Sequence, residues 1–121
     1  MAAAYRTRLG MQIMTHIEPV CLSAESEEAL LRIAQESVSN AARHGGASVI
    51  TLVLKPAAGK IELSIVDDGS GFDLAQSKES HGLGLRLIQE RVQEAGGTLH
   101  LHTAPGEGTS IVVRLQKAEK R

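Results

Sequence analysis

Ala47-Ser-Val-Ile-Thr-Leu-Val-Leu54, Pro56-Ala-Ala-Gly59 and Lys60-Ile-Glu-Leu-Ser-Ile-Val-Asp67 form the stretch that decides the fold. The first run is almost wholly β-branched or aliphatic. The last alternates, with Ile61, Leu63 and Ile65 set against Glu62 and Ser64. That period of two marks a strand with one buried face. The Pro- and Gly-bearing break between them reads as a turn, so the two strands pair antiparallel.

On the N-terminal side, Ser23 or Ser26 can cap a helix, and Glu25, Glu27 and Glu28 suit its positive end. The helix is expected to run to about Arg43, with Leu30, Ala34, Ser37, Val38 and Ala41 as its inward stripe and Gly45-Gly46 as its stop. Residues 11–17 read as a strand ended by Pro19, and residues 1–9 as a helical stub or disordered lead. On the C-terminal side, a polar, Gly-rich stretch over 68–81 leads into a second helix over 83–95, with Leu87, Ile88 and Val92 inward. Two further strands, 98–103 and 109–115, flank the turn Pro105-Gly-Glu-Gly108. Hairpin-linked strands and two long helices predict an α+β fold: a two-layer α/β sandwich, its mixed, mostly antiparallel sheet covered on one face by helices. The expected division is a lead over 1–10, one domain over 11–116 and a frayed tail over 117–121.

Composition narrows the chemistry. The chain has 121 residues and a formal net charge of −1, so no basic surface points to nucleic acid. It has no Trp, one Tyr and one Phe, so Leu, Ile, Val and Ala must build the core. Cys21 is the single cysteine, which excludes an intramolecular disulfide and a multi-Cys zinc site. No apolar run approaches the roughly 20 residues that cross a bilayer, and no signal peptide is visible.

Three patches can carry chemistry. Glu36, Asn40, Arg43 and His44 fall within roughly a 100° arc of the first helix. An amide oxygen there can ligate Mg²⁺, a carboxylate one turn away can take a proton or orient a water, and Arg43 or His44 can reach phosphate. An ordinary polar helix face would look the same. In Asp67-Asp68-Gly69-Ser70-Gly71-Phe72, a carboxylate ends an apolar strand beside bare backbone, where it can accept from a flat donor such as an adenine amine. A plain tight turn is the alternative. EF-hand spacing fails here, because Gly71 and Lys78 stand where ligands are needed. In His81-Gly82-Leu83-Gly84-Leu85, glycines open a helix whose amides can hold phosphate, though a flexible helix entry reads alike. No P-loop occurs.

The order and spacing of these patches resemble the N, G1 and G2 boxes of the GHKL, or Bergerat-fold, ATPases. Arg32-Ile-Ala-Gln-Glu36-Ser-Val-Ser-Asn40-Ala-Ala-Arg-His44 is similar to the N box of sensor histidine kinases of the nitrate-sensor and DesK/NreB type. Val66-Asp-Asp-Gly-Ser-Gly-Phe72 resembles their G1 box, Gly82-Leu-Gly-Leu85 with Gln89-Glu-Arg91 their G2 box, and Gly106-Glu-Gly-Thr109 their closing strands. The resemblance implies ATP and Mg²⁺ as ligands, with Asn40 holding the metal and Glu36 polarising the attacking group or ordering water. Arg43 and His44 would lie near the phosphates. Asp67 would read the adenine amine, with Gly69 and Gly71 shaping that pocket. Gly82, Leu83, Gly84 and Leu85 would pass over the phosphates, and Thr109 would support the adenine end.

The implied activity is phosphoryl transfer from Mg·ATP to a histidine on a separate dimerisation domain, and onward to a response regulator. No helix here carries the His-plus-acid acceptor motif: His16, His44, His81, His100 and His102 all sit in other contexts. A cytoplasmic location is expected, with the parent kinase free to be membrane-anchored. Two rivals stand beside this reading. One is a serine kinase of the anti-sigma-factor kind on the same fold. The other is a non-enzymatic binding module, which predicts lost boxes.

Overall fold

A computed structural model describes residues 2–6, 10–71 and 82–117, without the side chains of residues 5, 6, 44, 45 and 82–84. Strand β1 (Ala2–Arg6) pairs antiparallel with β2 (Gln12–Ile17). Helix α1 (Ala24–Asn40) and a π-helical turn (Ala41–Gly45) lead to β3 (Val49–Ala57) and β4 (Lys60–Asp67). Helix α2 (Gly82–Glu94), β5 (Thr98–Thr103) and β6 (Thr109–Gln116) follow. The six-stranded sheet has the order β1-β2-β3-β4-β6-β5. Only β2 and β3 among the described pairs run parallel, joined by the α1 crossover. The expected α+β sandwich with a mixed, mostly antiparallel sheet is therefore what forms.

Ser23 caps α1, its hydroxyl accepting from the Ser26 amide at 3.1 Å. Beyond α1, Gly46 takes a left-handed conformation and its amide bonds Ala41 O, which ends the helical run. The core lies between the helices and one face of the sheet. From the sheet come Ile50, Ile61, Leu63, Ile65, Ile111, Val113 and Leu115, and from the helices Leu30, Ile33, Ile88 and Val92. Period two on the strands puts every one of those sheet residues on the same side. Beyond α1 that side stays open, as an apolar groove floored by Ile13, Thr15 and Leu52 and walled by Ala34 and Val38.

Several expectations need correction. Residues 2–6 form an edge strand, not a helical stub; pairing with β2 overrides the helix preference of Ala2-Ala-Ala4. The buried stripe of α1 centres on Leu30, Ile33, Ser37 and Ala41, with Ile33 at 0% exposure. Ala34 and Val38 sit at its edge, because α2 packs on the Ile33 side. The buried Ser37 hydroxyl is satisfied by Ile33 O at 2.8 Å. Leu87 is 38% exposed at the α1–α2 cleft, leaving Ile88 and Val92 as the buried residues of α2. Pro56 lies within β3, paired with Ile61, and the turn shrinks to Ala58-Gly59. The ring sits where a missing N–H costs nothing, since β2 stops alongside Leu54. Both turn residues have positive φ, 51° and 79°, as a type I′ hairpin turn demands.

Ile33→Ala should cost about 2–5 kcal/mol in urea unfolding, while Leu31→Ala, on the exposed side, should change stability by less than about 0.5 kcal/mol. Equal losses would contradict this orientation of α1.

Candidate functional site

The topology alone gathers the sequence patches at one end of the sandwich. The crossover returns the chain from the C-terminus of α1 to the start of β3, so Asn40 and Arg43 lie at that end. Asp67 closes β4 opposite Ile50 of β3 and Thr109 of β6. The chain that leaves β4 there re-enters as the N-terminus of α2, which carries Gly82, Leu83, Gly84 and Leu85. The β5–β6 turn comes to the same end through the Thr103–Thr109 pair.

The adenine-like end is the most built part. Asp67 shares the helix-facing side of the sheet with Ile61, Leu63 and Ile65 and is half-buried. Its Oδ1 accepts the Gly69 amide at 2.9 Å, and the Thr109 amide also reaches the carboxylate. The β5–β6 turn then docks backbone to backbone, with the Gly106 amide on Ser70 O at 2.6 Å. A Cβ on Gly71 would strike Ala104 O and lie 2.8 Å from Gly108 O; one on Gly108 would strike Asp67 O. Both have positive φ, so glycine is required twice over. Thr103 Oγ1 ties the turn further, donating to Gly108 O at 3.0 Å and lying 3.1 Å from Thr109 Oγ1.

The first patch is looser. Glu36 and Asn40 are half-buried one turn apart, and Arg43 is exposed in the π-helical turn. Glu36 lines a cleft between α1 and α2 with Arg32, Leu87 and Arg91. The π turn is an insertion geometry frequent at functional positions. Leu85 is half-buried on α2. The His44 side chain, the Gly82–Gly84 surroundings, Phe72 and the stretch over 73–81 lie outside the described residues. His100 and His102 are exposed on one face of β5, with no third metal ligand in the described residues.

Sequence reading missed Asp68, Thr103 and Gly108. Gly108 was within sight as the second glycine of Gly106-Glu-Gly-Thr109. Asp68 acts through partners about twenty residues away, and Thr103 through the far side of its own hairpin turn.

The two adjacent aspartates differ in charge behaviour. Burial pushes the Asp67 carboxyl above the usual aspartate value, against the pull of the Gly69 and Thr109 amides. Amides of Val49 and Ser48 hold Asp68 below it. The sign follows. The Asp68 contribution to stability is present at neutral pH and is lost as pH falls through its lowered folded value. For Asp67, the folded state gains as pH falls through its raised value.

The family pattern described as histidine kinase-, DNA gyrase B-, and HSP90-like ATPase matches residues 25–119. The chain belongs to this ATPase family. Sensor histidine kinase LiaS of Bacillus subtilis (strain 168) is 34% identical over 111 residues, covering 92% of this chain and 31% of LiaS. The signal transduction histidine-protein kinase/phosphatase DegS of the same strain is 34% identical over 112 residues, covering 91% and 29%. The chain thus spans about a third of the length of the curated relatives it matches. The ATP-binding domain of PrrB from Mycobacterium tuberculosis superposes with a TM-score of 0.66 at 28% identity, covering 87% of this chain and 80% of that one. The blue-light-activated histidine kinase of Erythrobacter litoralis EL346 shares the fold, with a TM-score of 0.76 at 20% identity over 89% of this chain and 36% of that one. This domain is homologous to the ATP-binding catalytic domains of sensor histidine kinases. No described helix is long and apolar enough to cross a membrane.

Carboxyl-detected NMR should find Asp67 titrating above Asp68, on opposite sides of the usual aspartate value. The reverse order would contradict the geometry of this turn.

Proposed function

We propose that this domain, over residues 11–116, transfers the γ-phosphoryl group of Mg·ATP to a histidine on a separate dimerisation domain of the same kinase, from which it passes to a response regulator. We place that reaction in the cytoplasm. The observation that carries the reading is the convergence of the Glu36–Asn40 helix turn, the Asp67–Gly71 turn and the α2 N-terminus at one end of the sheet. The kinase names of LiaS and DegS favour histidine over the serine of the anti-sigma-factor type.

In this reading Asp67 accepts the adenine amine, with Gly69, Gly71 and Thr109 shaping the pocket beside it. Arg43 and His44 draw the phosphates, and the start of α2, with Gly82, Leu83, Gly84 and Leu85, passes over them. Asn40 fits Mg²⁺: its half-buried amide projects from the last turn of α1, with the Glu36 carboxylate one turn behind. The bound metal would neutralise phosphate charge and order its oxygens. Glu36 polarises the attacking group or orders water. Positioning and electrostatics carry most of phosphoryl transfer, so the domain needs a fixed nucleotide more than a strong base.

Two substitutions should divide the nucleotide. Asp67→Asn presents a donor where an acceptor is needed and should weaken Mg·ATP by about 1.5–3 kcal/mol in calorimetry. Asn40→Ala should remove the Mg²⁺ enhancement of ATP binding while leaving adenosine binding intact. Unchanged affinities in folded variants would remove these roles.

For the reaction itself, labelled ATP should leave the isolated domain unlabelled. It should label the native dimerisation domain added in trans, slowly, because the two are untethered. Acid-labile, base-stable label on this chain alone would make one of its own histidines the acceptor and overturn the proposal.

A further inference from the structure

Asp68 is exposed and lies just past the end of β4. Its Oδ1 accepts two amides at the entry of the neighbouring strand β3, Ser48 at 2.8 Å and Val49 at 2.9 Å. In return the Asp68 amide donates to Val49 O at 3.2 Å. The β3–β4 ladder ends at Ile50 and Asp67, and Asp68 extends the strand pairing beyond it with one side-chain oxygen. The next amide in the chain, that of Gly69, is the one that fixes Asp67 Oδ1. Asp68 therefore stands between the start of β3 and the turn that orients Asp67. On the other flank of the same turn, the Gly106 amide bonds Ser70 O. The β3 side of the turn is held by the Asp68 side chain together with its own amide, and the β5–β6 side by backbone alone.

We propose that Asp68 is a positioning residue for adenine recognition: by clamping the β4 exit to the Ser48 and Val49 amides, it aims the Gly69 amide and so sets the Asp67 carboxylate. This rests on the reading of Asp67 as the adenine acceptor. The low pKa direction of Asp68 agrees with a carboxylate that accepts two amides. Its charge also pushes on Asp67, though as the smallest of the causes acting there. The role is thus geometric first and electrostatic second, and substitutions can separate the two. Asparagine keeps an acceptor oxygen at the same reach and removes the charge. Alanine removes both.

Calorimetry with Mg·ATP and Mg·GTP on the folded domain tests this, with Asp67→Asn as the benchmark. Asp68→Ala should weaken Mg·ATP about five- to tenfold and reduce the preference for ATP over GTP, the loss expected when an oriented acceptor is loosened. Asp68→Asn should stay within about twofold of the parent, rescuing the geometry without the charge. Equal losses in both variants, or unchanged affinity in Asp68→Ala, would overturn the proposal. An alanine variant that does not fold would also overturn it, since Asp68 would then be a folding determinant and not a local clamp. If Asp67→Asn itself leaves affinity unchanged, the adenine reading fails first, and any effect at Asp68 has another origin.

Discussion

The rest of the site depends on one close approach of backbone to backbone, where the β5–β6 turn lies on the turn that leaves β4. The Gly106 amide reaches Ser70 O at 2.6 Å, and neither Gly71 nor Gly108 has room for a Cβ. Side chains of any size would hold these turns apart. With them pressed together, the Thr109 amide reaches Asp67 and the Thr103 hydroxyl closes the hairpin. A half-buried carboxylate is costly unless its oxygens are bonded. Amides from both turns oppose the cost of burying Asp67, although burial still pushes its carboxyl above the usual aspartate value.

The two ends of the proposed nucleotide are therefore built differently. At the adenine end, backbone amides and glycine contacts set the geometry before any ligand arrives. At the phosphate end, Arg43 is exposed and Asn40 only half-buried. Long-range attraction for phosphate needs no burial, whereas reading an amine against a carbonyl needs a fixed acceptor. Discrimination between bases belongs where the backbone is locked, and charge attraction where side chains stay solvated. Surface ion pairs such as Glu28–Arg32 and Arg91–Glu94 sit on exposed helix flanks, where such pairs contribute little.

How much of this could be read from the chain follows from the range of the forces involved. The β3–β4 hairpin was plain from its alternation, and the capped helix from Ser23 and its acids, because both are local signals. The Asp67, Gly69 and Gly71 turn was visible for the same reason. What escaped depended on distant partners. Strand β1 exists only because β2 offers an edge. The buried line of α1 shifted from Ala34 and Val38 toward Ile33, because α2 packs on that side. The clamp from Asp68 to Ser48 and Val49, and the fit of Gly108 under Asp67, join segments far apart in sequence. Pro56 shows the reverse effect: a residue that marks a turn in isolation was drawn into β3 by the register of the hairpin, which left Ala58 to take positive φ in the turn.

The central claim is that one end of the sheet forms a single nucleotide site, preformed around Asp67. Amide chemical-shift mapping of the isolated domain titrated with Mg·ADP tests it most directly. The account predicts large shifts at Asp67–Gly71 and Gly108–Thr109, with further shifts at Asn40–Arg43 and the start of α2, and little change in the open groove between β2 and α1. Shifts concentrated in that groove around Ile13 and Val38, with the Asp67 turn silent, would contradict it.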